Sequence, residues 1–317
     1  MLEKIRLMGI VPVVKIDDAG KAVALAGALC RGGLPCAEVT FRTDAAEEAI
    51  RRIASAMPDM LVGAGTVLTP EQADKAKAAG AKFVVSPGFN LRVVKHCLAN
   101  GLEIIPGCIT PTEIEQALEF GLKCVKFFPA EQFGGLATIK ALAAPYGGLQ
   151  FLPTGGINAG NLREYLSFER VIACGGSWMV DAKLIDSGDF AKIEALTREA
   201  VHTMLGFELA HVGINGADGA EADKTARRFA DMFGFAHKPG NSSVFAGSYV
   251  EVMNEPYLGA HGHIAIRTNY IGRAMNFLKG SGVKFKEGTE KYSENGKLAA
   301  IYLEGEIGGF AVHLLQK

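Results

Sequence analysis

From residue 9 to about residue 205, short apolar runs alternate with helical patterns, and the connections between them are tight. The runs read as strands over 9–16, 36–42, 61–67, 83–88, 103–108, 124–130, 150–157 and 171–177. Helical patterns lie between them, as over 18–31, 44–56, 70–79, 91–100 and 111–120. Several open with a proline or an acidic residue and stop just before a glycine, as at Gly80, Gly101 and Gly121. Eight strand-then-helix units in about 200 residues fit a compact (β/α)8 barrel. A doubly wound open sheet is the structural alternative, disfavoured because no G-x-G-x-x-G opens the first helix.

The chain has 317 residues, too many for that barrel alone. The excess has a different composition. All six cysteines (Cys30, Cys36, Cys97, Cys108, Cys124, Cys174) precede residue 175, whereas His211, His237, His261, His263 and His313 all follow residue 210. The expected division is a barrel over 1–205, a linker over 206–208 and a smaller α+β domain over 209–317. The cysteines form no C-x-x-C pair and read as reduced thiols of a cytoplasmic protein. With 33 basic against 34 acidic residues and no basic stretch, nucleic acid and anionic membrane surfaces are not expected partners. No apolar run has the length of a membrane span or of a signal-peptide core.

In such a barrel, reacting groups collect at the C-terminal ends of the strands. Lys126 sits inside an apolar run that Pro129 ends. A lysine in a dry strand is costly unless paired or neutral, and a neutral amine is the nucleophile that makes a Schiff base with a ketone. The plainer alternative is that Lys126 reaches past the strand end into solvent. Glu38, Thr40 and Arg42 are two apart and share one strand face. Glu38 beside Lys126 makes an acid/base partner for carbinolamine formation, or else a structural ion pair. Arg42 suits a bidentate grip on a carboxylate. Gly155-Gly156 and Gly175-Gly176 follow neighbouring strands, with Thr154 and Ser177 beside them. Backbone N–H groups there can approach an anion closely, so a phosphate site is favoured over two ordinary tight turns.

These segments resemble the 2-keto-3-deoxy-6-phosphogluconate aldolase family, which also cleaves 4-hydroxy-2-oxoglutarate. The resemblance is carried by Glu38-Val39-Thr40-Phe41-Arg42-Thr43, Gly63-Ala64-Gly65-Thr66-Val67, Ser86-Pro87-Gly88, Ile105-Pro106-Gly107, Lys126-Phe127-Phe128-Pro129-Ala130-Glu131, Pro153-Thr154-Gly155-Gly156-Ile157 and Gly175-Gly176-Ser177-Trp178. It runs in order from residue 1 to about 205. It implies a lyase of the Entner–Doudoroff route: a class I aldolase without a metal, typically homotrimeric, acting on a small 2-keto acid. Lys126 would be the Schiff-base lysine and Glu38 the general acid/base. Arg42 and Thr66 would bind the pyruvyl carboxylate, and Pro87 and Phe128 would shape the pocket. Thr154, Gly155, Gly156, Gly176 and Ser177 would take the phosphate. Cys108 stands where a small residue such as serine is expected.

Residues 209–317 contain two similar halves, each a strand, a helix, a glycine-containing turn and further strands. The first runs from His211-Val212-Gly213-Ile214 to Tyr249-Val250-Glu251-Val252-Met253, the second from His263-Ile264-Ala265-Ile266 to Phe310-Ala311-Val312-His313-Leu314. This pattern resembles the glyoxalase/bleomycin-resistance (vicinal oxygen chelate) family, whose paired βαβββ units curve around a pocket. Its metal-binding members take one ligand from the first strand and one from the last strand of each half. Here those positions hold His211, Glu251, His263 and His313, a set suited to a divalent metal, although glutamate is more usual where His313 stands. His261 is an alternative ligand. The second domain is expected to be either a metal-dependent isomerase, lyase or dioxygenase, or a metal-free binding or assembly module. A barrel that is a phosphosugar isomerase on the same phosphate loops is the remaining rival.

Overall fold

The computed structural model describes residues 1–317, which divide into two compact units, Met1–Met204 and Leu205–Lys317. In the first unit, helix α1 (Leu2–Met8) precedes β1 (Ile10–Val14), α2 (Ala22–Arg31), β2 (Cys36–Thr40), α3 (Ala46–Ala56), β3 (Leu61–Gly65) and α4 (Pro70–Ala78). Next come β4 (Phe83–Val85), α5 (Leu91–Ala99), β5 (Glu103–Ile105), α6 (Pro111–Glu119), β6 (Cys124–Phe127) and α7 (Gly135–Ala143). β7 (Gln150–Pro153), α8 (Leu162–Leu166), β8 (Cys174–Gly176), α9 (Ala182–Ser187) and α10 (Phe190–Leu205) complete the series.

All the strand pairs in this unit are parallel. One sheet reads β5-β4-β3-β2-β1-β8, and β6-β7 form another. Bridges Gly107–Lys126 on one side, and Phe151–Val171 and Thr154–Gly175 on the other, join the two into a closed barrel. The expected eight strands are present, but most stop two or three residues early. Pairing ends where the chain turns into the mouth loops: β3 stops at Gly65 because Thr66 takes a left-handed conformation, φ 55°.

The helix starts follow from their caps. Thr69 and Thr110 accept hydrogen bonds from Gln72 N and Glu113 N, each followed by a proline at the first helical position. Thr110 and Glu113 complete a reciprocal capping box. Helix α1 was not expected. Its Ile5, with Leu2 and Met8, packs on a cluster of Val11, Phe83, Val85, Ile105 and Leu152. Truncating a buried aromatic such as Phe83 typically costs about 3–5 kcal/mol. All six cysteines are free thiols, and no helix is long and apolar enough to cross a membrane.

The second unit is mostly sheet. It runs β9 (Glu208–Asn215), α11 (Gly219–Phe233), β10 (His237–Pro239), β11 (Ser243–Ala246) and β12 (Val250–Met253), then β13 (His263–Thr268), α12 (Ile271–Gly280), β14 (Lys291–Tyr292), β15 (Leu298–Ile307) and β16 (Phe310–Gln316). The sheet order β10-β11-β12-β9-β13-β16-β15-β14 is mirrored about the antiparallel β9/β13 seam. Each half is therefore one βαβββ unit. Ala222, Ala226 and Ala230 form a small-residue stripe on α11, and the first two pack closely on Val244 and Val252 of the sheet. Leu205 is tied to this unit, since its carbonyl accepts hydrogen bonds from Thr268 Oγ1 and Asn269 N.

Candidate active site and candidate metal centre

In the barrel, Lys126 on β6 is 4% exposed and Glu38 on β2 is fully buried. Lys126 Nζ donates to Glu38 Oε1 at 3.3 Å and lies 5.1 Å from the centre of the Phe128 ring. Solvent exposure of Lys126, the plainer alternative, is thereby excluded. Gly65 on β3 makes room for the carboxylate, because a Cβ there would lie 2.2 Å from Glu38 Oε1. Glu38 Oε2 is buried without a hydrogen-bond partner. Buried polar atoms are seldom left so, and a ligand can complete such a set.

A cavity of about 320 Å³ is lined by Thr40, Arg42, Phe128, Thr154, Gly155, Gly156, Gly176 and Ser177. The shared face of Glu38, Thr40 and Arg42 is split in use. Thr40 Oγ1 donates to Val14 O, while Arg42 Nε donates to Thr66 Oγ1 at 3.3 Å. Gly155 and Gly156 have φ of 99° and 79°, a region that disfavours any side chain, and a Cβ at 156 would lie 2.3 Å from Glu131 Cγ. Thr154 Oγ1 is a second buried atom without a partner. Pro87 is not in this wall; its carbonyl packs against Gly107, where a Cβ would approach it to 2.0 Å. Lys15 and Asp181 also line the cavity and were missed. Lys15 lies just past a strand end, the same signal that drew attention to Lys126, and pairs with Asp17 at 2.7 Å. Cys108 is buried, its thiol pushed well up by burial, and its Sγ donates to Glu113 O at 3.5 Å.

In the second unit, the four symmetric positions converge. His211 Nε2 lies 3.2 Å from His263 Nε2, and Glu251 Oε2 lies 3.0 Å from the first and 3.1 Å from the second. Ser243 Oγ donates to Glu251 Oε1 at 2.6 Å. Burial alone would raise the Glu251 carboxyl. The hydrogen bonds from His211, His263 and Ser243 outweigh it and hold the group well below the usual carboxylate range. His313 completes the set, the three imidazoles offering nitrogen atoms within 4.8 Å of one another. Burial first, then the neighbouring His263 and His211, push His313 down to about 4. Its ring is therefore neutral near pH 7. His313 Nδ1 faces Leu314 O at 3.4 Å, and its buried Nε2 has no partner. Gly213 backs His263, where a Cβ would stand 2.0 Å from Cε1. His261 does not join the cluster. It is exposed in the loop before β13, bonded through its N–H to Gly309 O, so the strand-face argument fails there.

A closed parallel barrel with a buried amine–carboxylate pair and a glycine-lined cradle has the form of a lyase. The comparisons agree. Residues 1–196 match the family model described as KDPG and KHG aldolase. A 2-dehydro-3-deoxy-phosphogluconate aldolase of Treponema pallidum (strain Nichols) is 56% identical over 200 residues, 63% of this chain and 94% of the relative. The KHG/KDPG aldolase of Escherichia coli (strain K12) is 43% identical over 192 residues, 61% of this chain and 90% of that relative. Among solved structures, a KDPG aldolase from Legionella pneumophila with pyruvate captured as a covalent carbinolamine is 35% identical. It covers 63% of this chain and 98% of its own, with a TM-score of 0.61. The Zymomonas mobilis ZM4 2-keto-3-deoxy-6-phosphogluconate aldolase with 3-phosphoglycerate is 40% identical, covering 63% of this chain and 94% of its own, with a TM-score of 0.59.

The chain belongs to the KDPG and KHG aldolase family. Its N-terminal unit is an aldolase, a lyase acting on a small keto acid.

Proposed function

We propose that the barrel is a class I aldolase that cleaves 2-keto-3-deoxy-6-phosphogluconate to pyruvate and glyceraldehyde 3-phosphate. By the same steps it cleaves 4-hydroxy-2-oxoglutarate to pyruvate and glyoxylate. The observation that carries this reading is the 3.3 Å contact between buried Lys126 Nζ and Glu38 Oε1. Lys126 attacks the 2-keto carbon, and Glu38 moves the protons that turn the carbinolamine into a protonated imine with loss of water. Glu38 then takes the C4 hydroxyl proton and the C3–C4 bond breaks. Its electron pair enters the imine as an enamine while the aldehyde leaves. Protonation at C3 and hydrolysis release pyruvate and the free amine. The Legionella relative, which holds pyruvate as a carbinolamine, supports these steps.

Arg42 and Thr66 grip the carboxylate, and Phe128 shapes the pocket wall. Thr154, Gly155, Gly156, Gly176 and Ser177 receive the phosphate, where the unpartnered Thr154 hydroxyl supports a ligand. The barrel needs no cofactor for this chemistry. Lys126→Ala is expected to lower turnover more than about 10⁴-fold while the fold persists by circular dichroism. Turnover within tenfold of the parent would refute the assignment. Exposed Leu68, Leu91 and Phe133 on the barrel supply apolar surface for assembly of copies, expected as a trimer and testable by sedimentation mass.

A second reading concerns the other unit, taken as a glyoxalase-like domain of the vicinal oxygen chelate type. His211, Glu251, His263 and His313 suit a divalent metal, because the three imidazoles offer nitrogens within 4.8 Å of one another, Glu251 Oε2 lies 3.0 Å and 3.1 Å from two of them, and the buried His313 Nε2 lacks a donor. The contact of His313 Nδ1 with Leu314 O and the Ser243 bond to Glu251 orient two of these ligands. Such a metal would polarise ligand oxygens. Elemental analysis tests it: near-stoichiometric metal in the parent and its loss in His263→Ala are expected. No metal after reconstitution would leave a binding or assembly role.

A further inference from the structure

The sheet of the second unit encloses a cavity of about 840 Å³ with the histidine cluster in its wall. Three cations line the same cavity: Lys238 from β10, Arg267 from β13 and Lys291 from β14. β10 and β14 are the two outermost strands of the mirrored sheet, so the lysines come from its opposite edges. Arg267 follows His263 by four residues on one strand and is half-buried.

None of the three has a carboxylate within ion-pair distance, whereas Lys317 holds Glu208, Arg227 holds Asp223 and Arg31 holds Glu194. Two carboxylates line the cavity. Glu251 is engaged by His211, His263 and Ser243, and Glu255 is exposed. A half-buried guanidinium with no counter-charge is unfavourable in the empty protein and favourable once an anion enters. Phe245, Tyr302 and Leu315 add apolar wall between the charged positions.

We infer that this cavity binds a small acid carrying two anionic oxygen groups, its carboxylate held by Arg267 and its second group by Lys238 or Lys291. The inference rests on reading the cavity as a ligand site and stands whether or not the histidines carry a metal. The second group is a carboxylate or a phosphate, and two probes separate them.

The test is hydrogen–deuterium exchange mass spectrometry on the full-length protein, chelator-treated and metal-loaded, with 2-oxoglutarate or 3-phosphoglycerate. Exchange reports the second unit separately from the barrel, whose proposed aldolase site takes acids of similar chemistry. Protection of peptides spanning 263–268 and 291–302 is expected from at least one acid. The preferred acid names the second group, and glycerol is expected to give no protection. Arg267→Gln is expected to raise the concentration needed about 10-fold or more, with part of the effect recovered in Arg267→Lys. A Lys238→Gln/Lys291→Gln variant, altered only at exposed positions, is expected to weaken binding without loss of fold. Absence of protection at about 20 mM, weaker than any useful affinity, would overturn the inference, as would equal protection in all variants. Metal bound at the histidines without acid protection would overturn the anion site and leave the metal reading standing.

Discussion

The two units place buried polar clusters on strand faces, yet the clusters differ in how their charges and lone pairs are satisfied. In the barrel, Lys126 Nζ donates to Glu38 Oε1 at 3.3 Å, and the contact between them offsets much of the cost of burying each. That pair joins a donor to an acceptor, leaves Glu38 Oε2 open to a ligand, and is suited to proton and covalent chemistry. In the second unit, three imidazoles and one carboxylate point at one another, and His313 is held neutral. In that cluster the buried His313 Nε2 faces no donor. The contrast is between a donor–acceptor pair with one oxygen open and imidazole nitrogens crowded around one carboxylate.

Experiments that break this comparison rank by effect. Glu38→Gln keeps the shape and removes the base, and should lower kcat about 10²–10⁴-fold while the amine still condenses with pyruvate. A loss confined to KM would mean that Glu38 only positions substrate. Chelation should separate the units. Aldolase turnover should stay unchanged, while a thermal transition belonging to the second unit moves down as bound metal is removed. Loss of aldolase turnover on chelation would break the distinction between the barrel pair and the proposed metal site of the sheet. Ser177→Ala should raise KM about 10-fold for the phosphorylated substrate and little for 4-hydroxy-2-oxoglutarate. Equal effects on both would remove Ser177 from the phosphate cradle.

The two sites were legible to different degrees. In the barrel, strand-end residues occur in a fixed order along the chain, and period-two facing put Glu38, Thr40 and Arg42 on one strand face. That period says which side chains share a face but not where pairing stops. It therefore overran most strands and suggested His261, which lies in a loop one turn of chain before β13 begins. Helix α1 was invisible because its short apolar pattern, Leu2, Ile5 and Met8, has no capping side chain at Met1. Lys15 carried a strand-end signal that was not followed, whereas Asp181 carried no marker beyond ordinary surface charge, and closure of the barrel brings both to the cavity. The histidine cluster was readable because the repeat placed one ligand on each of four corresponding strands. The unpaired cations were not, since an absent partner is a property of the fold alone.

The measurement that bears most directly on the central claim is borohydride trapping of the full-length protein with pyruvate, followed by peptide mass mapping. The expected result is one stable adduct, located on Lys126 and missing from Lys126→Ala. An adduct on another lysine, or an unmodified Lys126 after complete reduction, would contradict the account.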